Sequence, residues 1–200
     1  MLFAALLVLG YLSGSCPWGY WLPVLFRGED VRKHGSGSIG GSNVWRTYGR
    51  SLGIPVIALD FLKGFVPALI GVLLVSHLCG LLVGVAAMVG HARPLFLKFE
   101  KGGKMVATGG GVLFAVAPWV AFALGGVWLV TFLLTRYTSV ASVLSALALP
   151  FVAVAFGTPT VILVFSCIAA ATVVYLHRGN LRRLRAGTEN RFTLRRPARV

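Results

Sequence analysis

Seven apolar stretches follow one another along this chain, which makes a bundle of membrane-spanning helices the expected fold. A helix needs about 20 apolar residues to cross the hydrocarbon core of a bilayer. The chain has 200 residues, of which 12% are charged, whereas soluble domains carry about 25%. The predicted spans cover residues 2–25, 52–75, 79–90, 105–117, 118–135, 140–157 and 159–176.

The third and fourth stretches are short, and the charges between the stretches decide how they are counted. Merging residues 105–135 into one helix and leaving residues 79–90 at the interface gives five or six crossings. When all seven are counted, connections with Lys or Arg alternate strictly with connections that have neither. Because basic loops stay in the cytoplasm, this alternation predicts seven crossings, with the N-terminus outside and the C-terminus in the cytoplasm.

The predicted fold class is therefore an all-α polytopic integral membrane protein with about seven transmembrane helices, two of them short. This topology accounts for the net charge of +14, so no nucleic-acid partner is predicted. No linker divides the chain, and residues 1–200 are expected to form a single membrane-embedded domain. Its basic cytoplasmic tail covers residues 177–200, and within it the stretch LRRLRAGTENRFTLRRPARV, residues 181–200, is expected to lie along anionic headgroups of the lipid bilayer.

Polar segments interrupt the apolar stretches, and the first reads GSGSIGGSNVWR over residues 35–46. Glycines and small polar residues let backbone N–H groups converge on an anion. Asn43 adds an amide donor, and Arg46 adds a cation suited to phosphate. A flexible connection between helices is the alternative interpretation. The Gly-Lys-Ser/Thr of a nucleotide-binding P-loop does not follow.

Asp60 and Lys63 lie inside an otherwise apolar predicted span. A charge in the bilayer interior is costly unless it is paired or solvated. Residues three apart share a helix face, so the two side chains are expected to pair with each other. In either case they indicate a polar interior rather than a lipid-facing surface.

A second glycine-rich segment, GHARPLFLKFEKGGKMVATGGG, covers residues 90–111. Lys104 and Thr108 stand where an apolar helix begins, and a helix N-terminus contributes the positive end of its dipole to an anion site. His91 is expected to be a structural hydrogen-bonding residue, with substrate binding as the alternative.

The remaining interruptions are RYTSVAS at residues 136–142 and HRGNLRRLRAGTENR at residues 177–191. A serine at the first helix start is expected to cap the helix. In the second segment, His177 and Asn180 are one helical turn apart where the last span ends.

Together these segments supply cations, hydroxyls and amides but few carboxylates. The sequence has no acidic cluster for magnesium, no His-Glu-x-x-His and no Gly-x-Ser-x-Gly, so neither a metal nor a cofactor is predicted. These residue types suit a phosphate-bearing substrate whose apolar part lies between helices.

In order and spacing, the motifs resemble the bacterial acyl-phosphate:glycerol-3-phosphate acyltransferases, the PlsY family, over about residues 10–192. They are Gly-Ser-Gly-x-x-Gly-x-x-Asn-x-x-Arg, Asp-x-x-Lys-Gly, Gly-His-x-x-Pro with Gly-Gly-Lys-x-Val-Ala-Thr, Tyr-x-Ser-x-x-Ser and His-Arg-x-Asn-x-x-Arg-Leu-x-x-Gly-Thr-Glu. The resemblance implies transfer of a fatty acyl group from acyl phosphate to the 1-hydroxyl of glycerol 3-phosphate, giving lysophosphatidic acid and phosphate in phospholipid synthesis. It also implies a bacterial cytoplasmic (inner) membrane location, a cytoplasm-facing active site, and coupling to the enzymes that make acyl phosphate and use lysophosphatidic acid.

The motifs and the resemblance together single out candidate site residues. The catalytic candidates are His177, Asn180, Lys104 and Ser142. The substrate-binding candidates are Ser36, Gly37, Ser38, Gly40, Ser42, Asn43, Arg46, Lys63, His91, Gly102, Gly103, Thr108 and Glu189. Within these sets, Arg46, Lys104 and Asn180 are expected to bind the glycerol 3-phosphate anion, and residues 36–43 the acyl-phosphate group.

The chain departs from the family pattern at a few positions. Ser38, Gly41 and Ser42 stand in the first motif where the family usually has Asn, Ala and Thr. Met105 replaces the glycine that usually follows the motif lysine, and Glu100 lengthens the approach to that motif by one residue. The change at Met105 is expected to affect the local loop geometry most.

An acyl phosphate is a mixed anhydride with a good leaving group, so orientation and charge stabilisation are the expected contributions of the protein. His177 is one candidate for the general base, and a substrate phosphate oxygen is the other. The acyl tail is expected in a groove that opens to lipid. The alternative function is a transporter or channel for a phosphorylated solute, which also uses glycine-broken helices and basic loops.

Overall fold

The structure, a computed structural model, describes residues 1–192. These residues form helices joined by short connections, with no β-strand in that range. They divide into two compact units, residues 1–116 and residues 117–192. The end of the predicted basic tail, residues 193–200, lies outside the described residues. The all-α prediction is confirmed.

The first unit contains six α-helices and two short 3₁₀ turns, Val31–Lys33 and Leu95–Leu97. The helices are α1 (Leu2–Ser15), α2 (Trp18–Arg27), α3 (Gly41–Tyr48), α4 (Arg50–Leu74), α5 (His77–Ala92) and α6 (Val106–Val116). Helix α4 is central and packs against α1, α3, α5 and α6. Glycines let α4 and α6 approach closely, because a Cβ at Gly64 or Gly111 would overlap the backbone of the facing helix.

The second unit contains four helices, α7 (Pro118–Thr135), α8 (Thr138–Ala155), α9 (Thr160–Leu176) and α10 (Arg178–Arg185). Helix α8 packs against both α7 and α9. Helix α10 continues from α9 after a bend of 52°. Its sequence is strongly basic, so the predicted tail begins as a short helix.

Four helical segments among the described residues are long and apolar enough to cross a membrane, and the number rises to six if each bent pair counts as one span. The bent pairs are α1 with α2 and α9 with α10, and α6 is a shorter apolar helix. Each of the seven predicted stretches is therefore helical, although their lengths differ from the prediction in places.

Two of the predicted spans differ from the prediction in more than small shifts of their ends: one is longer than expected and one is broken. The stretch predicted over residues 79–90 is a helix of 16 residues, His77–Ala92, so it is less short than expected. Ser76 caps it by accepting a hydrogen bond from the backbone N–H of Cys79, which starts the helix before the apolar run. The first span is broken at Cys16, because the following Pro17 disfavours helical backbone in the residue before it.

The connection predicted over residues 26–51 is more ordered than a flexible loop. It contains the 3₁₀ turn Val31–Lys33 and helix α3, which packs on α4. A Cβ at Gly41 would overlap the side chain of Ile57, so the glycine at this position allows the contact between the two helices. Gly41, where the family usually has alanine, thus lies at a close contact between α3 and α4.

Candidate functional site

The first glycine-rich segment is held in shape by one buried side chain, that of Asn43, which is 1% exposed. Its Nδ2 donates hydrogen bonds to the carbonyl oxygens of His34 (3.1 Å) and Ser38 (2.9 Å). Its Oδ1 accepts from the backbone N–H of Ser36 at 3.0 Å. Because both ends of the amide are engaged inside the loop, Asn43 shapes the glycine-rich segment rather than extending a donor out of it.

Two glycines allow the tight path of this loop. Gly35 and Gly37 have φ values of +57° and +67°, a left-handed conformation that favours glycine. The Ser38 hydroxyl accepts a hydrogen bond from the backbone N–H of Gly40 at 3.2 Å. Ser42 and Arg46, one turn apart on α3, are partly buried just after this loop.

The second glycine-rich segment is fastened to the end of α5. The backbone N–H of Gly102 donates to the carbonyl of Ala92 at 2.9 Å, and that of Gly103 donates to the carbonyl of His91 at 3.0 Å. Lys104 follows and is partly buried. Met105 then has φ of +66°, so the residue that replaces the usual glycine adopts a backbone conformation that glycine prefers.

An ion network that the sequence motifs did not reveal joins the second glycine-rich segment to the turn just before the first. The Arg32 guanidinium binds the Asp30 carboxylate at 2.8 Å and the Glu100 carboxylate at 2.5 Å. The hydrogen bonds from the Arg32 side chain hold the pKa of Asp30 below its ordinary value. Glu100, the residue that lengthens the second segment, thus ties that segment to the turn Val31–Lys33, which precedes the first.

Two further candidates, Lys63 and His91, lie in the interior of the first unit. The Lys63 ammonium is 2.7 Å from the Asp60 carboxylate, which confirms the expected ion pair. His91 Nδ1 is 3.7 Å from the same carboxylate oxygen. Thr108 is fully buried, and its backbone lies against Gly64. With Lys63 and His91 at 5% and 3% exposure, these side chains shape the unit from within.

An apolar groove of about 470 Å³ runs along one face of α4 next to α3. Its lining residues are Trp45, Ile54, Ile57, Ala58, Phe61 and Leu62. Trp45 adjoins Arg46 in the sequence, so one end of the groove lies beside the first glycine-rich segment. Ile54 and Ile57 are both well exposed, so the groove is open along its length.

In the second unit, Glu189 is the centre of a hydrogen-bond network. Its carboxylate accepts from Ser139 Oγ at 2.8 Å, Asn180 Nδ2 at 2.6 Å and Arg183 Nε at 2.9 Å. Burial alone would raise the pKa of Glu189, but the hydrogen bonds from Asn180 and Ser139 and the charge of Arg183 outweigh burial, so its pKa is lowered. The network orients the Asn180 amide.

His177 lies at the bend between α9 and α10 and is 3% exposed. Its Nδ1 is 2.8 Å from the backbone carbonyl oxygen of Val173. A carbonyl oxygen can only accept, so Nδ1 carries the proton and, in the neutral ring, Nε2 is the basic nitrogen. His177 and Asn180 stand one turn apart, as expected.

Ser142 takes no part in the Glu189 network. Its hydroxyl donates to the backbone carbonyl of Thr138 at 2.7 Å and accepts from Trp128 Nε1 at 3.1 Å. The capping serine expected at this helix start is also absent from that position, because Tyr137 precedes the first residue of α8. Ser139 lies inside the helix and donates to Glu189 instead.

The structure thus places the sequence candidates in two groups. In the first unit, Arg32 and Glu100 connect the turn just before the segment around Asn43 to the segment around Lys104. In the second unit, Asn180 and Glu189 share a hydrogen bond, with His177 in the preceding turn. Among residues 1–192, no group of three or more His, Cys, Asp or Glu side chains is arranged to hold a metal ion.

Comparison with protein families and known sequences gives one consistent match. A family model described as glycerol-3-phosphate acyltransferase matches residues 4–187. A protein of that name from Roseiflexus sp. (strain RS-1) is 45% identical over 193 residues, which cover 94% of each chain. One from Aquifex aeolicus (strain VF5) is 44% identical over 192 residues, covering 94% of this chain and 97% of the relative.

Solved structures with the same fold give the same match. The glycerol 3-phosphate form of PlsY (YgiH), an integral membrane glycerol 3-phosphate acyltransferase, has a TM-score of 0.91 and 40% identity over 96% of each chain. The lysophosphatidic acid form of PlsY has a TM-score of 0.86 and 38% identity over the same share of each chain.

Proposed function

Because this chain belongs to the glycerol-3-phosphate acyltransferase family and is a multi-pass membrane acyltransferase, we propose that its acyl donor is an acyl phosphate. The acyl group passes to the 1-hydroxyl of glycerol 3-phosphate, and the products are lysophosphatidic acid and inorganic phosphate. The observation that carries this proposal is the similarity of nearly the whole chain to PlsY in forms with glycerol 3-phosphate and lysophosphatidic acid. This similarity favours an enzyme over the transporter alternative.

In the first unit, we assign Arg46 and Lys104 to the binding of phosphate groups. Both are cations beside glycine-rich segments, and in a partly buried location a cation–phosphate contact is stronger than in water. The hydroxyls of Ser36 and Ser42 add donors for the acyl-phosphate group. Asn43 contributes indirectly, because its amide holds the loop.

In the second unit, we assign Asn180 to the glycerol 3-phosphate anion and His177 to the attacking hydroxyl. The Nδ1 contact of His177 leaves Nε2 as the nitrogen that can accept a proton. The other candidate base is a phosphate oxygen of the substrate. If His177→Ala keeps near-normal turnover, the base is the substrate phosphate.

We assign the acyl tail to the apolar groove on α3 and α4. The groove begins at Trp45, beside Arg46, and its wall continues through apolar residues to Leu62. A fatty acyl chain attached to a phosphate held near Arg46 would enter this groove. Because lipid tails are as apolar as this groove, van der Waals packing of the chain against the groove wall would select its length.

The orientation of the enzyme in the membrane is proposed from the charges of its connections. Alternation of basic and uncharged connections supports an outside N-terminus and a cytoplasmic C-terminus in the bacterial inner membrane. The glycine-rich segments and the His177 segment would then face the cytoplasm, where glycerol 3-phosphate is dissolved. We propose that the whole chain acts as one domain, coupled to enzymes that make acyl phosphate and use lysophosphatidic acid.

The donor assignment is tested with purified protein in detergent. Synthetic palmitoyl phosphate and labelled glycerol 3-phosphate are supplied, and both phosphate release and labelled lysophosphatidic acid are followed. Palmitoyl-CoA and a palmitoyl thioester of acyl carrier protein are compared as donors. Product formation from palmitoyl phosphate alone is expected, and activity only with a thioester would refute the assignment.

A further inference from the structure

The first unit holds a buried polar cluster that the proposed reaction does not use directly. Asp60, Lys63 and His91 are each at most 5% exposed. Buried ion pairs lose much of their attraction to desolvation and are weak evidence for stability alone. The contacts of this cluster indicate a more specific role.

Lys63 joins the cluster to the break in the first span. Its ammonium donates to the backbone carbonyl of Cys16 at 2.9 Å, where α1 ends. The last carbonyls of a helix have no intrahelical donor, and a cation there is favourable. In return, Ser13 Oγ donates to the backbone carbonyl of Lys63 at 3.1 Å. The Asp60–Lys63 pair is thus fixed to α1 as well as α4.

His91 lies between this ion pair and the segment that carries Lys104. One edge of the imidazole faces Asp60, with Nδ1 3.7 Å from the carboxylate. The opposite edge lies against Gly103, where an added Cβ would overlap Nε2 and its neighbouring ring carbons. The His91 carbonyl also accepts the backbone N–H of Gly103 at 3.0 Å.

We propose that His91, which lies between the Asp60–Lys63 pair and Gly103, is a positioning residue that sets the location of Lys104 for glycerol 3-phosphate binding. The imidazole blocks inward movement of Gly103, the residue directly before Lys104. On the other side of Lys104, the left-handed backbone of Met105 constrains the chain. The inference rests on the proposed function because it takes glycerol 3-phosphate as the ligand of Lys104.

A double-mutant cycle of Gly103→Ala and His91→Ala tests this role. Gly103→Ala adds a methyl group against the ring and displaces the loop, whereas His91→Ala removes the ring and leaves the loop unsupported. Because a misplacement of about 1 Å can cost about a hundredfold in a reaction, we expect each single variant to weaken glycerol 3-phosphate binding by about tenfold. In the double variant the new methyl group occupies vacated space, so its binding is expected to be no weaker than that of Gly103→Ala alone.

The readout is the Kd for glycerol 3-phosphate by titration calorimetry of the full chain in detergent. Gly110→Ala is the matched control, because its Cβ meets only Phe61, at 4.0 Å, and its Kd is expected to be unchanged. The KM for palmitoyl phosphate is measured in parallel and is expected to stay within about twofold, since the displaced lysine contacts the acceptor.

Two results would overturn the inference. One is a loss of glycerol 3-phosphate affinity in the double variant that equals the product of the losses in the two single variants. Contacting residues that act together would instead show coupling. The other is an equal rise in the KM for palmitoyl phosphate, which a general loss of structure would cause. If Gly103→Ala does not fold, His91→Asn is used instead and must weaken glycerol 3-phosphate binding at least about threefold with the melting temperature retained.

The binding cycle contains no acyl donor. If the donor assignment fails in the turnover assay, the Kd values of the cycle stay interpretable, and the melting temperature of each variant replaces the KM for palmitoyl phosphate as the check for a general loss of structure. Failure of the cycle leaves the donor assignment intact.

Discussion

The amide of Asn180 donates a hydrogen bond of 2.6 Å to the carboxylate of Glu189, which lies beyond the end of α10. The same carboxylate accepts from Ser139 on α8 and Arg183 on α10. Glu189 therefore ties α8 and α10 to the segment that follows α10. The side chain of Glu189 is 4% exposed, so solvent screens these hydrogen bonds little.

Glu189→Gln is expected to destabilise the protein and lower turnover. Hydrogen bonds to a charged group each contribute about 1.5–3 kcal/mol, and the neutral amide retains only part of this network. Since a 1 kcal/mol loss lowers the melting temperature of a protein of this size by about 2–4 °C, the shift is measurable by fluorescence in detergent. Glu29→Gln serves as the control, because the ion pair of Glu29 with His34 is exposed to solvent and contributes little.

The contribution of Glu189 to stability is expected to disappear in acid. Its pKa is lowered in the folded protein, so it stabilises the fold above its ordinary value of 4.5 and the stabilisation is lost as the pH falls through the lowered pKa. The difference in melting temperature between the wild type and Glu189→Gln should therefore narrow below about pH 4.5. A difference that stays constant down to pH 3 would contradict the assignment.

Met105→Gly is expected to be more stable than Met105→Ala by about 1 kcal/mol. A left-handed backbone costs an L-residue about 1–2 kcal/mol, part of which is offset because glycine loses more entropy on folding. Both variants lack the methionine side chain, so their difference isolates the backbone strain at φ of +66°. Chemical unfolding of the two proteins measures it, and equal stabilities would rule the strain out.

Asn43→Asp is expected to weaken binding of the acyl phosphate more than Ser38→Ala does. The aspartate keeps the acceptor for the Ser36 N–H but loses the donors to two carbonyls, and each buried unsatisfied group costs about 1–3 kcal/mol. Ser38→Ala removes one hydrogen bond to Gly40. The KM for palmitoyl phosphate is the measurement, and similar values for both variants would argue against a loop-shaping role of Asn43.

Ala58→Phe is expected to shorten the acyl chain that the enzyme accepts. Ala58 is exposed and lines the apolar groove, so a larger side chain at this position fills the groove without entering the buried interior of the unit. The ratio of kcat/KM for palmitoyl phosphate to that for octanoyl phosphate should fall by about tenfold, because each lost buried methylene is worth about 0.8 kcal/mol. Val66→Trp, on an exposed position of α4 outside the groove lining, should leave the ratio unchanged.

Several features of this protein followed directly from local sequence. Each apolar stretch had to become a helix, because a bilayer offers no water to satisfy backbone groups. The stretch predicted over residues 118–135 is α7, Pro118–Thr135, with the same bounds. The Asp60–Lys63 pair was also predictable, because residues three apart meet on one helix face whatever the tertiary structure.

Other features depended on contacts between distant parts of the chain. Ser139 and Glu189 are separated by 50 positions, and Arg32 and Glu100 by 68, and no local periodicity relates them. The motifs indicated Asn43 as a donor for substrate, whereas the fold directs both ends of its amide into its own loop.

The sequence alone determined that the chain enters the membrane many times, and it indicated residue types suited to phosphate in the polar interruptions. These properties depend on residue type and on spacing within a helix or a loop. Only the tertiary structure decided which polar groups lie against one another, as the His91 ring does against Gly103. The reason is physical: a buried polar group must find a partner, and only the packing of the helices determines which partners lie within reach.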